Sequence, residues 1–334
     1  MIKRPSFELA GVSVEPASRK TINIPVSTLS DHTPVTLSAH VIHGRNEGPV
    51  MFISAGIHGN EVIGVEIVRR LLRTKNFKSL RGTLIVVPIV NTFGFLNHSR
   101  YLPDRRDLNR CFPGSADGSL GSRLAHIFMN EIVAQCSLGI DLHSAAINRM
   151  NLPQIRVSAN NHETLRLAHV FGAPVILTSA LRDGSLRQEA KRIGVDVILY
   201  EAGEGMRFDE MSVRAGLAGI LRVLKDVGLL PLAGIAGPKA RSIVCADSHW
   251  QRAPAGGLLR MFKAEGDVVE VGDVLAAISD PFGQSETEVK ARYSGIIVGR
   301  AVMPIVHEGD ALFHVAAVKS GDVAEAAVDD LATQ

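Results

Sequence analysis

Cysteine is scarce in this chain of 334 residues: there are three, Cys111, Cys136 and Cys245. None belongs to a Cys-x-x-Cys pair, and the odd number argues against a disulfide framework. A reducing, cytoplasmic setting is expected. Aromatic residues are 5% of the total, with a single Trp, too few for the stacking platforms that hold single-stranded nucleic acid. Neither sign of charge prevails: 36 Lys and Arg face 34 Asp and Glu, a net +2. That balance leaves no electrostatic footprint for nucleic acid or an anionic membrane surface. The opening residues, MIKRPSFELAGVSVEPASRK, lack the apolar stretch of a signal peptide. No run reaches the roughly 18 apolar residues of a membrane span. No nucleic-acid partner and no membrane partner are therefore expected.

What is present is ordinary globular material, 46% hydrophobic and 21% charged. The length suits one large domain plus a smaller one. Apolar runs and alternating segments predict strands at 21–26, 35–42, 50–53, 84–90, 138–143, 153–158, 174–178 and 195–200. Helical spacing predicts helices from about 62 to 72, 123 to 134, 162 to 171, 186 to 193 and 210 to 227. A long polar loop is expected from 91 to 122. Strands alternating with helices mean an α/β fold with a mixed, mainly parallel sheet flanked by helices. The Pro- and Gly-containing stretch 230–238 reads as a linker. Beyond it Gly266-Asp267, Gly272-Asp273 and Gly309-Asp310 punctuate short β runs. The expected organisation is an α/β domain over 1–238, a small all-β domain over 241–318 and a tail over 319–334.

The stretch around which the chain is organised is PVMFISAGIHGNEVIGVEIVRR, starting at Pro49. It places His58 and Glu61 where a strand turns into a helix, the edge at which open α/β sheets bind ligands. A histidine nitrogen and a carboxylate three residues apart can grip one zinc ion. The other reading is a solvated helix start, with Glu61 complementing the helix dipole. His143 ends its own strand and would add a third donor. Two His and one Glu leave a fourth position for water, the composition of a catalytic zinc site. Asp141 could orient a ligand from behind. Such a site needs a base. Glu201 ends another strand and is the candidate, with Glu204 as its rival. The polar loop concentrates Arg100, Arg105, Arg106 and Arg110. A guanidinium can fork onto a substrate carboxylate or stabilise an oxyanion, or pair with the neighbouring Asp104 and Asp107.

These residues carry a resemblance. GIHGNE at Gly56–Glu61, DLNRCFPG at Asp107–Gly114, then His143 and Glu201 follow in the order seen in the succinylglutamate desuccinylase/aspartoacylase family. That family is related to the zinc carboxypeptidases. The resemblance spans about 50 to 205. It implies one zinc ion per chain on His58, Glu61 and His143, with Glu201 as general base. It further implies Arg100 at carbonyl polarisation, with Arg105 and Arg106 competing, and Asn109 and Arg110 at the substrate carboxylate. The activity implied is a zinc-dependent amidohydrolase or deacylase acting on a small-molecule N-acyl amino acid. A metallocarboxypeptidase acting on peptides and a non-catalytic binding or carrier protein are the alternatives. Assembly into a homo-oligomer stays open. The β region resembles biotinyl and lipoyl modules, but its expected hairpin tip, 279–285, has no carrier lysine, so it reads as structural, shaping or covering the mouth of the site.

Overall fold

The computed structural model describes residues 4–231, 234–238 and 240–318. The tail expected from residue 319 lies outside them, as does part of the linker expected at 230–238. The organising strand is Asn46–Ala55. Met51, Ile53 and Ala55 point into one core and Phe52 into another, the two-residue alternation of a strand packed on both faces. It runs parallel to Arg81–Val87 on one side and to Leu138–His143 on the other. Asp196–Gly203 continues the parallel set beyond Leu138–His143. Three carboxyl ends thus meet along one sheet edge, and the register makes Glu201 the partner of His143.

Antiparallel pairs flank this parallel centre on both sides, so the sheet is mixed. The long hairpin of Ser18–Thr28 and Pro34–His43 joins Arg81–Val87. On the opposite side Arg149–Val157 runs antiparallel to Asp196–Gly203. The free edge of Arg149–Val157 is then divided: Val175–Thr178 takes its second half and Gly295–Ala301 its first.

Helices cover both faces. Ile63–Leu72 buries Ile63, Ile67, Val68 and Leu71, spaced three and four apart. Glu210–Asp226 packs against it through Gly216, where a Cβ would sit 2.5 Å from Ile67 Cδ1. Asp209 caps this helix by accepting a hydrogen bond from the Ser212 amide. His162–Phe171 ends at Gly172, in the left-handed region that favours glycine. On the other face the helix expected at 123–134 begins at Leu120, because Ser119 caps it, and leaves α geometry after Ile127. A π turn, Phe128–Ile132, follows and keeps Phe128, Met129 and Ile132 buried.

The segment expected to be a polar loop, 91–122, is ordered by scattered anchors instead. Phe93, Leu102, Leu108 and Phe112 are all buried. Short helical pieces at Thr92–Leu96 and Leu108–Arg110 are capped by Asn91 and Asp107. Isolated anchors in polar sequence have no period, so pattern reading passes over them. The hairpin Phe7–Leu9 with Val12–Val14 likewise went unread, being too short to show alternation.

The carboxyl-terminal region is β, and antiparallel apart from Ile243–Cys245, which runs parallel to Val175–Thr178; its core gathers around Leu259, Leu275, Ile278, Ile297, Leu312 and Phe313. Its turns repeat one device. Gly266, Gly272 and Gly309 have positive φ. The Asp after each accepts from an amide three residues back: Asp267 from Ala264, Asp273 from Glu270, Asp310 from His307. The tip between Val274–Ser279 and Glu286–Lys290 carries the largely exposed Phe282. Gly295–Ala301 pairs with Arg149–Val157, Gly299 opposite Asn151, so the β region and the central sheet share one ladder. No helix among the described residues is long and apolar enough to cross a membrane.

Candidate metal centre and active-site cleft

The edge where the parallel strands end opens into a cleft of about 470 Å³. His58 and Glu61 reach it from the turn after Asn46–Ala55, and His143 from the end of its strand. Each of the three is 3% exposed. One donor atom from each lies within 4.8 Å of the others. His58 Nδ1 is 2.7 Å from Glu61 Oε1 and His143 Nδ1 is 2.8 Å from Glu61 Oε2. The far nitrogens are backed by carboxylates. His58 Nε2 is 3.0 Å from Asp107 Oδ1, and His143 Nε2 is 2.7 Å from Asp141 Oδ2. Asp141 is itself fixed by the Ser54 hydroxyl, which donates to Oδ1 at 2.8 Å. A carboxylate behind each ligating imidazole fixes ring orientation and raises ligand basicity.

Burial pushes both imidazoles towards neutrality, but the surrounding carboxylates outweigh it. Glu61 and Asp107 raise His58; Asp141 and Glu61 raise His143 well above the ordinary histidine range. Burial likewise opposes ionisation of Glu61, yet the two histidines hold its carboxyl far below the usual range. The nest therefore favours positive charge at its centre. Two imidazole nitrogens and a carboxylate at this spacing, with both rings braced, fit a zinc ion.

The other expected site residues line the same cleft: Arg100, Asn109, Arg110 and Glu201. Arg100 donates to Glu61 Oε1 at 3.1 Å and to Asp107 Oδ2 at 3.0 Å. Arg105 and Arg106 are exposed and are not among the lining residues. Asn109 is anchored, its Oδ1 accepting from the Leu186 amide, which leaves its Nδ2 for a ligand. Arg110 donates to the Asn109 carbonyl. Glu201 accepts from Asn151 at 3.0 Å and pairs with the Arg156 guanidinium at 2.8 Å, both on Oε2. Glu204 is buried elsewhere, accepting from the Asn148 amide and pairing with Arg207; it is not among the lining residues.

Residues 47–227, over half of the chain, match the succinylglutamate desuccinylase/aspartoacylase catalytic domain. The chain belongs to the succinylglutamate desuccinylase/aspartoacylase family. Among curated relatives, an N-alpha-acetyl-L-2,4-diaminobutyric acid deacetylase of Halomonas elongata is 26% identical over 89% of this chain and 90% of its own. A succinylglutamate desuccinylase of Pseudomonas aeruginosa is 31% identical over 31% of this chain and 33% of its own. Among solved structures, a succinylglutamate desuccinylase/aspartoacylase from Rhodobacter sphaeroides superposes with a TM-score of 0.78 at 26% identity. That match covers 90% of this chain and 96% of the other.

Within this family site, several lining residues were not read from the sequence. Arg156 and Arg187 both face the cleft, and Arg156 Nε and Arg187 Nη1 are buried without hydrogen-bond partners. Burial, and then Arg156 beside it, lowers Arg187 to about 10, so it stays charged near neutrality. An arginine between the apolar Ile155 and Val157 was the available signal. The β region contributes Ser248, Trp250 and His314. Trp250 and His314 stack at 4.7 Å, and the Arg149 guanidinium lies 4.9 Å from the Trp250 ring centre. Only the tertiary pairing of distant strands brings this wall to the site.

Proposed function

We propose that the protein is a zinc-dependent amidohydrolase that removes the acyl group from the amino nitrogen of a small N-acyl amino acid. The observation that carries this reading is the buried His58–Glu61–His143 nest, carboxylate-braced, in one cleft with Glu201 and a group of arginines. One zinc ion would sit on those three residues, where it supplies a Lewis acid that polarises the amide carbonyl and makes water more acidic. Glu201 takes a proton from the attacking water as the oxygen adds to the carbonyl carbon. It returns that proton to the amide nitrogen as the C–N bond breaks, releasing a carboxylic acid and an amine. Arg100 stabilises the oxyanion through the donors not engaged by Glu61 and Asp107. Asn109 and Arg110 hold the substrate carboxylate. The guanidinium groups of Arg149, Arg182 and Arg187 that line the cleft favour a second acidic group over a cationic one.

The wall of Ser248, Trp250 and His314 narrows the cleft and favours a single amino-acid derivative over a peptide. The hairpin tip without lysine argues against a carrier role. Three free thiols suit a reducing compartment such as the cytoplasm. The test is a panel of N-acetyl and N-succinyl amino acids with acidic, neutral and basic side chains, presented to zinc-loaded protein. Free amine should appear fastest from acidic members, and peptides should be poor substrates. Equal zinc binding by the double variant His58→Ala/His143→Ala would remove the metal assignment.

A further inference from the structure

We propose that the carboxyl-terminal β region positions the base: Gly299 seats Asn151, and Asn151 together with Arg156 holds Glu201. The inference rests on Glu201 as the base in the reading above. Arg149–Val157 lies between the strand that bears Glu201 and the strand Gly295–Ala301. Asn151 is thus flanked by Gly203 on one side and Gly299 on the other. The register is pinned by Gln154, fully buried, whose side chain donates to the Val298 carbonyl at 3.0 Å. Asn151 is 8% exposed, and its side chain donates to Glu201 Oε2. A Cβ on Gly299 would stand 2.5 Å from Asn151 Oδ1, with the Met150 carbonyl oxygen at 3.3 Å. Position 299 is outside the left-handed region, so glycine is needed there for space and not for backbone freedom. Arg156 Nη2 forms an ion pair with the same carboxylate oxygen at 2.8 Å. With a hydrogen bond and an ion pair both on Oε2, the Glu201 carboxylate is held from turning, and Oε1, which has no hydrogen-bond partner among the described residues, is the oxygen left to take the proton. Asn151 and Arg156 are positioning residues, and the β region sets where Asn151 stands.

The experiment is a double-mutant cycle on the full chain, loaded with zinc and assayed on the N-acetyl amino acid that wild type cleaves fastest. Asn151→Ala should lower kcat about 10-fold, the loss expected for one hydrogen bond to a charged group, with KM and zinc content unchanged. Arg156→Lys should keep more activity than Arg156→Ala. Gly299→Ala should lower kcat in the wild-type background and have little further effect beside Asn151→Ala, where the methyl occupies the space left by the amide. Equal losses in both backgrounds, or full kcat in Asn151→Ala, would overturn the proposal. Glu201→Gln separates the two levels: if it retains turnover, the base assignment itself fails. If it is inactive while Asn151→Ala and Gly299→Ala are fully active, only the positioning fails. A crystal structure of Gly299→Ala gives a readout without any assay. The amide should be turned off Glu201, and an undisturbed Asn151–Glu201 hydrogen bond would overturn the proposal.

Discussion

Asp141→Asn isolates what the carboxylate behind His143, a proposed zinc ligand, contributes. Asp141 is 0% exposed, so no bulk water can take over from it. Its two oxygens have one partner each, His143 Nε2 at 2.7 Å and the Ser54 hydroxyl at 2.8 Å. An asparagine can keep both contacts. Its oxygen accepts from Nε2–H, and its amide donates to Ser54, whose hydroxyl can accept as well as donate. Shape and hydrogen bonds survive and only the charge is lost. Removing such a partner typically weakens metal affinity about 10- to 100-fold, or about 1.4 to 2.7 kcal/mol. Ser54→Ala removes one hydrogen bond from the same carboxylate but leaves its charge beside His143, and so should weaken zinc binding less. Competition against a chromogenic zinc chelator at near-neutral pH gives both affinities, with thermal unfolding as the check on the fold. If Asp141→Asn binds zinc as tightly as wild type while folded, the carboxylate behind His143 has no energetic role in zinc binding.

Glu201→Gln should keep zinc and fold while turnover drops roughly 10²- to 10⁴-fold; elemental analysis beside steady-state kinetics checks both halves. Arg110→Ala should raise KM for a carboxylate-bearing substrate with kcat nearly intact, because that contact exists before and during the reaction alike; an unchanged KM sinks the anchor role. His314 is held down to about 4 by burial first and by Arg156 and His249 next, against 6.5 for an ordinary histidine. As pH falls across that window the unfolded chain takes up a proton that the folded chain refuses, so stability falls. Denaturation midpoints against pH should show a flatter acid limb for His314→Gln than for wild type, and parallel curves would refute the assignment.

The readable parts of the site share one physical origin. His58, Glu61, His143 and Glu201 follow apolar strand runs directly, and parallel strands deliver their carboxyl ends to one edge, so local pattern sufficed to bring them together. Asp107 was visible beside Arg100 as a charge partner, but its contact with His58 Nε2 depends on the path of 91–122, set by isolated anchors such as Leu102 and Phe112. Arg156 and Arg187 became neighbours only through the way Arg149–Val157 adds to the sheet and the helix Leu186–Arg192 packs above it. The Trp250–His314 wall needed a pairing between segments more than a hundred residues apart. Fold legibility divides the same way. His162–Phe171 has a regular apolar stripe and a glycine stop, and its expected bounds match those observed. The π turn after Ile127 and the order within 91–122 come from tertiary packing, which no window of sequence contains.

The shared ladder between Gly295–Ala301 and Arg149–Val157 decides how the cleft can breathe. A module tethered by a flexible linker could swing as a door, admitting substrate when open and closing over it. Here the wall bearing Trp250 and His314 is hinged to nothing: swinging it would break main-chain bonds of the strand that also carries Asn151 and Arg156. It is a door frame. The shared ladder ties the outline of the mouth to the central sheet. Substrate choice would then be made by fit at the threshold, and product would leave without a domain-scale rearrangement.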